Sequence, residues 1–413
     1  MITAHQIRLE PNNKQRTYLS RAAGTARFTY NWGLHRWQEE YELHKADPSH
    51  PQPSQFSLRR ELNSKKHEEY PWMMDVTKCA VQESLIDLGR AFDNFFKKRA
   101  KYPKPKKKGI HDSFTMSSGT FAVDGYRIRI PKLGYVRMSE ALRFDGKILS
   151  ATVSRTADRW FVSLTVETDD PMPTPKSQRS IGVDLGVSTL ASFSDGRQVL
   201  GTKAQRRLLA KQARLSRQLS RKQKGSKNGY KAKMKLARLH AKIANTRKDS
   251  LHKLTTELVS NYEVICIEDL NVSGMVKNHN LARAVSDMGF FEFRRQLDYK
   301  CKRYGSELVV IDQWYPSSKT CSACGEVFGS LPLSVRRWTC QGCGADHDRD
   351  VNAAINIERV GSASMSWATA SSAGSNDCGD GSSGHSLNLG STNGETIVYE
   401  AVSEHQTSAS KFE

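Results

Sequence analysis

Along the first 170 residues the spacing of apolar positions changes twice, and each change predicts a different kind of element. Residues 5–9 (HQIRL) alternate apolar and polar, as a short strand does. Asn12 or Asn13 can cap the helix that follows, and LSRAAGTARFTYNWGLHRWQEEYELHK carries it onward. Phe28, Tyr30, Trp32 and Trp37 sit among arginines there; they suit either a core or base stacking, and a core is the commoner use of helical aromatics. A loop with three prolines (DPSHPQP) gives way to more helix, in which Val81, Leu85, Leu88, Phe92 and Phe95 form one buried stripe at spacings of four and three. From Phe114 to Glu167 the period falls to two. YRIRIP alternates strictly, and ILSATVSRTADRWFVSLTVE reads as two strands joined around Thr156–Asp158. A small sheet or barrel is expected, closed by the Pro-rich PMPTPKSQRS, which puts a domain boundary near residue 178.

Beyond that linker the order reads β-β-(β)-α-α-β-α-β. IGVDLGV, VICIED and SELVVID are nearly continuous apolar runs, as expected of strands buried on both faces. Between the first two, Leu208, Leu215 and Leu219 mark one helical face, and Leu236, Leu239 and Ile243 mark another. KGSKNG should turn the chain between them into a hairpin with a thin apolar seam. After Val360 a Ser/Gly/Asn-rich stretch has too little apolar surface to order itself, which predicts a disordered tail over 361–413.

Charge narrows the function. The chain carries +20, and residues from Gly361 onward hold six Asp/Glu and one Lys, so about +25 falls on residues 1–360. That much positive charge on one body points to a polyanion. No run approaches 18 apolar residues, and no basic amphipathic helix shows an aromatic face, so nucleic acid is favoured over membrane. The N-terminus lacks the apolar core of a signal peptide, and a soluble cytoplasmic protein, associated with the nucleoid, is expected. Two segments concentrate the charge. KKRAKYPKPKKKG, which proline keeps irregular, offers Lys104 and Lys106 to phosphates; Lys203–Lys248 holds 17 Lys/Arg and no acid, and offers Arg206, Arg207, Arg214 and Lys222.

Two sets of residues then suggest metals. Of eight cysteines, Cys321, Cys324, Cys340 and Cys343 form C-x2-C-x15-C-x2-C, the spacing of two zinc knuckles. Four thiolates leave no open position, so this zinc is read as structural, and the neighbouring His347 is not needed to complete it. Asp184 and Glu268 close two of the apolar strands, and Asp350 precedes a short helix in VNAAINIER. Carboxylates converging on one sheet edge repel one another unless a cation sits between them, and oxygen-only donors suit Mg²⁺ or Mn²⁺. Two such ions about 4 Å apart would activate water and stabilise the departing 3′ oxygen of a phosphodiester. IGVDLGVST also fits the first phosphate loop of actin-like ATPases, but the second phosphate loop that reading needs is missing.

Taken together, IGVDLGV, ICIEDL and PSSKTCSACG…CQGCGADHDRDVNAAINI, with the opening IRLEPNNKQRTYLSRAAGTARFTYNWGL, resemble the TnpB (OrfB) family encoded by insertion sequences, which is akin to the type V CRISPR effectors. The resemblance covers about residues 1–360. It implies a multidomain α/β and β protein with a RuvC-like nuclease of RNase H fold over 179–318 and 347–360. A four-cysteine zinc module is inserted at 319–346, a wedge-like oligonucleotide-binding barrel spans 1–12 and 113–178, and a helical recognition domain spans 13–112. It further implies an Mg²⁺-dependent, RNA-guided DNA endonuclease, monomeric in a ribonucleoprotein with its guide RNA and double-stranded target. On that match Asp184, Glu268 and Asp350 are the catalytic triad; His347, Asp348, Arg349 and Asn352 support it; Lys78 and Gln82 lie where the family reads the motif adjacent to the target. Two other functions compete. A nuclease-independent RNA-guided repressor would have lost triad carboxylates, and an RNase H-fold transposase usually orders its acids D…D…E, not D…E…D.

Overall fold

The computed structural model describes residues 1–169, 176–329, 331–332 and 334–372, the last eight by their backbone alone. The first half of the Pro-rich linker, 171–175, lies outside them, and its last three residues, 178–180, already belong to a strand. Apart from the final turns of the last helix, every element belongs to one unit, Met1–Ser366.

The chain opens with strand β1 (Ile2–Leu9), then helices α1 (Asn13–Ala46), α2 (Gln55–Lys65) and α3 (Lys78–Phe96), with a 3-10 turn at Pro71–Asp75. Of the two candidate caps, Asn12 is the one used: its side chain accepts from Gln15 N–H while Gln15 returns a bond to Asn12 N–H, both 2.9 Å. The predicted stripe of α3 buries Val81, Leu85, Leu88 and Phe92, and Trp37 of α1 stacks on Phe92 with centroids 4.2 Å apart. Tyr30 and Trp37 are therefore core, whereas Phe28 is exposed.

Strands β2 (Ser113–Ser117), β3 (Ala122–Asp124), β4 (Arg127–Ile130), β5 (Gly134–Arg137), β6 (Lys147–Thr156) and β7 (Arg159–Glu167) follow. They build a four-stranded sheet, β1-β7-β6-β2, and a three-stranded sheet, β3-β4-β5, all antiparallel. A bridge between Leu9 and Met138 joins the two sheets around one core, to which Ile7, Met116, Ile128, Val136, Val153 and Leu164 contribute. The Tyr18 hydroxyl fastens α1 to this core: it donates to Pro131 O at 2.7 Å and accepts from Thr77 N–H at 2.9 Å. The helices are thus anchored to the strands that flank them in sequence.

The second half is built on β8 (Gln178–Asp184), β9 (Ala191–Phe193), β10 (Gln198–Val199), α4 (Ala204–Ser220), α5 (Lys227–Asn261) and β11 (Tyr262–Glu268). Short helices α6 (Val272–Met275) and α7 (Ala282–Met288), then α8 (Phe290–Tyr304) and β12 (Glu307–Ile311), complete it. Strand order is β10-β9-β8-β11-β12, with β11 parallel to both β8 and β12 and β9 antiparallel to β8. As the apolar runs predicted, Ile181, Val183, Ile265 and Ile267 are buried. The basic hairpin is α4–α5, with Ala204, Leu239 and Ile243 as its seam and Leu208 and Leu215 packed against it. Two contacts tie the hairpin down. Buried Asp287 accepts from Gln205 and Arg206 N–H at the start of α4, and Arg238 grips Asp158 at the β6–β7 turn at 2.6 and 3.1 Å.

A small hairpin, β13 (Arg337–Thr339) and β14 (Asp346–Asp348), leads into α9 (Arg349–Ser372). The expected short helix after Asp350 is therefore long. It runs past Val360, where the predicted disordered tail was to begin, to Ser372. The physical reason is cooperativity: once a packed helix is nucleated, a Ser/Ala/Met stretch without proline extends it, whatever its apolar content. The rest of that tail lies outside the described residues. No helix among the described residues is long and apolar enough to cross a membrane.

Candidate metal centres

The parallel register assembles the carboxylates. Ile267 pairs with Val183, so the next residues, Glu268 and Asp184, end adjacent strands side by side. Asp350 comes from the first turn of α9, which packs against β8. Gly182 permits that packing, because a Cβ there would run into the Ala354 carbonyl oxygen. A glycine in the strand thus sets how near the helix bearing Asp350 lies to the strand bearing Asp184.

The acids feel one another electrostatically. Burial pushes Asp184 up to about 7; the Asp350 and Glu268 carboxylates push the same way, and Arg349 and Arg336 oppose them. Burial lifts Glu268 to about 6. Two Asp and one Glu at this edge, with Asp184 and Glu268 both raised, offer oxygen donors that fit a divalent cation. Among the described residues, the close-set group of potential metal ligands is the cysteine quartet, and Arg336 Nη1 holds Asp350 Oδ1 at 3.1 Å. Arg336 was missed in the sequence because nothing in its local pattern marks it; the β13–β14 hairpin brings it there.

The folded values of Asp184 and Glu268 lie above the unfolded ones, so the native state holds protons that the unfolded chain releases. Stability from this source is complete below about pH 4 and is lost as pH climbs to about 7, at a cost of a few kcal/mol. A cation that takes the place of those protons removes the cost. Added Mg²⁺ or Mn²⁺ should raise Tm by about 2 °C or more at pH 8 and far less at pH 5.5; equal shifts at both pH values in a thermal scan would count against cation binding at these acids.

Between the two aspartates of DRD the geometry distinguishes clearly. Asp348 Oδ1 accepts from Asp350 N–H and Val351 N–H, both 3.1 Å, and so caps α9. The Asp350 carboxylate instead pairs with Arg336 and acts on Asp184 through its charge.

The thiolates form the tighter cluster. All four sulfurs lie within 4.8 Å of one another, with Cys321–Cys343 at 3.7 Å and Cys324–Cys340 at 3.6 Å. A tetrahedral zinc with bonds of about 2.3 Å needs edges of about 3.8 Å, so these residues fit the ion. The two knuckles are built alike. Gly325 N–H bonds Cys321 O and Gly344 N–H bonds Cys340 O, both 2.9 Å, with Gly325 and Gly344 at φ +83° and +74°. Although burial opposes it, N–H groups of Cys324 and Ala323 together with His347 bring Cys321 down to about 6. His347 Nε2 lies 3.1 Å from Cys321 Sγ, so the residue judged dispensable supports the cluster from outside the thiolate shell.

Asn356 and Arg359 were not singled out from the sequence. With Asn352 they occupy i, i+4 and i+7 of α9 and hold the first knuckle by its backbone. Asn352 Oδ1 accepts from Ser322 N–H at 2.9 Å; Asn356 Nδ2 donates to Thr320 O and Ser317 O at 2.6 and 2.8 Å; Arg359 donates to Ser322 O at 2.6 Å. Both asparagines are buried. A polar stripe at helical spacing on an otherwise apolar helix is the signal that could have found them.

The nucleic-acid candidates are spread over the surface. Lys104, Arg206, Arg207, Arg214 and Lys222 are exposed. Lys106 places its ammonium 4.1 Å from the Tyr30 ring centroid, so part of its charge is engaged within the protein. Lys78 and Gln82 line one hollow of about 290 Å³ together with Arg59, Asn63, Lys66 and Lys132.

Comparison with known proteins agrees with this architecture. The family described as “Probable transposase” (IS605 OrfB) matches residues 163–279, “Cas12f1-like, TNB domain” matches 290–357, and a “Helix-turn-helix domain” matches 1–46. In this last stretch the structure has a strand and one uninterrupted helix. A Streptomyces pristinaespiralis protein named “Putative RNA-guided DNA endonuclease” is 41% identical over 383 residues, covering 92% of this chain and 91% of its own. The similarly named InsQ of Escherichia coli K12 is 35% identical, over 88% of this chain and 93% of its own. Among solved structures, a Cas12f1–sgRNA–target DNA complex aligns with TM-score 0.52 at 16% identity, over 84% of this chain and 83% of that one, which shows a shared mixed α/β fold. By its sequence identity to full-length relatives, the chain belongs to the TnpB (OrfB) family.

Proposed function

We propose that this protein is an RNA-guided DNA endonuclease whose cutting centre is Asp184, Glu268 and Asp350. The observation that carries the reading is the convergence of these acids on one end of a β10-β9-β8-β11-β12 sheet, an arrangement read as a RuvC-like RNase H fold. Mg²⁺ bound there would supply the activated water and neutralise the leaving 3′ oxygen. The chain's own part is to hold the acids in register through β8 and β11, cap α9 with Asp348, and keep Asp350 in place through the zinc knuckles. Arg336, which pairs with Asp350, would be free to meet a phosphate if a cation took that carboxylate.

The remaining domains are assigned by the same reading. The two joined sheets act as an oligonucleotide-binding wedge, α1–α3 as a recognition module, and the α4–α5 hairpin with the 97–109 loop as cationic walls for the guide and its heteroduplex. Lys78 and Gln82, in a hollow with four further polar or basic residues, would read the target-adjacent motif. The complex is taken to be one protein chain with one guide, working in the prokaryotic cytoplasm.

The test is to purify the protein with RNA co-expressed from the end of its element, sequence that RNA, and offer the complex plasmids with matched targets beside randomised flanks. One discrete RNA and cutting only at the paired target with a defined flank is the expected result. Random cellular RNA would sink guide-directed function; discrete RNA and target binding without cutting would favour a repressor.

A further inference from the structure

We propose that Trp314 is a stacking seat for an unpaired base of the DNA strand entering the carboxylate site. This rests on the nuclease reading above and adds a substrate contact to it.

The placement follows from the sheet. Strand β12 ends at Ile311, opposite Glu268, and Asp269 N–H donates to Ile311 O at 3.1 Å. Residues 312–316 therefore leave the sheet at the edge that carries Glu268 and Asp184. The loop they form is pinned from within. Asp312 Oδ1 accepts from Trp314 N–H at 2.7 Å, Tyr315 N–H donates to Asp312 O at 3.2 Å, and Ser317 N–H donates to Tyr315 O at 2.7 Å. Tyr315 packs inward on the cluster of Cys266, Ile311 and Ile357. Ser317 is itself held, through its carbonyl, by Asn356 of α9.

With its neighbours anchored inward, Trp314 is turned out. Its 82% exposure is the highest of any large apolar side chain among the described residues. An indole held open on a rigid turn loses little entropy when something covers it, and it leaves apolar surface in water until then. A nucleobase is the occupant that the location selects. A strand must be unpaired to reach carboxylates recessed at a strand end, and its bases then present bare π-faces beside the site. Stacking is indifferent to base identity, which suits a cutting centre whose sequence choice is made elsewhere. Of the two flanking acids, Asp269 is ion-paired with Arg294, and the Asp312 carboxylate is turned back to accept from Trp314 N–H.

The experiment uses the guide-loaded protein with a target whose displaced strand carries 2-aminopurine at successive positions near the cut. In a Glu268→Gln background, which holds the strand without cutting, one or two positions should show quenched fluorescence. Trp314→Ala should abolish the quench and Trp314→Phe should keep most of it. In the otherwise native complex, Trp314→Ala should slow cutting by roughly 10-fold, the scale of losing one base–aromatic stack, and Trp314→Phe by less than about 3-fold. RNA content, target binding and Tm should not change. A quench that persists in Trp314→Ala, or equal cutting rates for Trp314→Ala and native protein, overturns the proposal while leaving the nuclease reading intact. Slower cutting with a lowered Tm that Phe does not rescue assigns Trp314 a structural role and also overturns it. A native complex that never cuts removes the nuclease reading itself.

Discussion

Asp350→Ala is expected to abolish guided cutting, by at least about 10³-fold, while the complex still assembles on its RNA and target. The loss follows from removing one of three oxygen donors to a cation whose binding the remaining two cannot sustain. RNA binding survives because the substitution deletes a negative charge from a chain of net charge +20 and touches none of its exposed basic surface. Asp184→Ala and Glu268→Ala should behave alike, since the strand register places both carboxylates at the same edge. Asp348→Ala is the informative contrast. Its carboxylate caps α9 through Asp350 and Val351 N–H, so its loss should cost about 1 kcal/mol of stability and slow cutting less than about 10-fold. Measuring single-turnover cutting and RNA retention on the four variants decides the assignment. Full cutting by Asp350→Ala beside an inactive Asp348→Ala would reverse the roles of the two aspartates.

That contrast also marks how far the sequence carries. The strand-end positions of Asp184 and Glu268 were legible because buried parallel strands write themselves as continuous apolar runs, and a charge at the end of such a run is conspicuous. The cysteine cluster was legible because paired thiolates that share an ion need a fixed short spacing. What the residues between Cys343 and Val351 do was harder to read, since Asp348, Asp350 and His347 differ in role only through the partners that folding supplies. His347, on β14, meets Cys321 of the first knuckle, and Arg336 meets Asp350 at the base of the β13–β14 hairpin; neither contact is encoded by local periodicity. The continuation of α9 was hidden for the opposite reason. Its Ser/Ala composition looks like a linker, and only the helix already running through Ala354 and Ile357 makes it helical.

The same helix joins the carboxylate edge to the cysteine cluster, so if that cluster holds zinc, its removal should cost activity as well as stability. Asn352, Asn356 and Arg359 bind the backbone of Ser317, Thr320 and Ser322, which is the turn that presents Cys321. Arg349 reaches back to Pro332 O at 2.8 Å, and its N–H donates to Arg336 O at 2.8 Å. The first turn of α9, which bears Asp350, is therefore clamped by the module from both sides. Against the backbone N–H donors beside them, burial and neighbouring cysteine sulfurs lift Cys324, Cys340 and Cys343 above the ordinary thiol range, and four sulfurs this close need a cation to hold them as thiolates. Without one the knuckles should part, releasing the asparagine contacts and leaving two buried amides without partners, at roughly 1–3 kcal/mol each. A chelator that takes zinc but spares magnesium should lower Tm and reduce cutting by about 10²-fold or more, with Zn²⁺ restoring both and added Mg²⁺ restoring neither. Cys321→Ser should reproduce the loss without chelator, and Asn356→Ala should reproduce part of it with zinc still bound, as metal analysis would report. Unchanged cutting by zinc-free protein would mean that Asp350 is positioned by β8 packing alone.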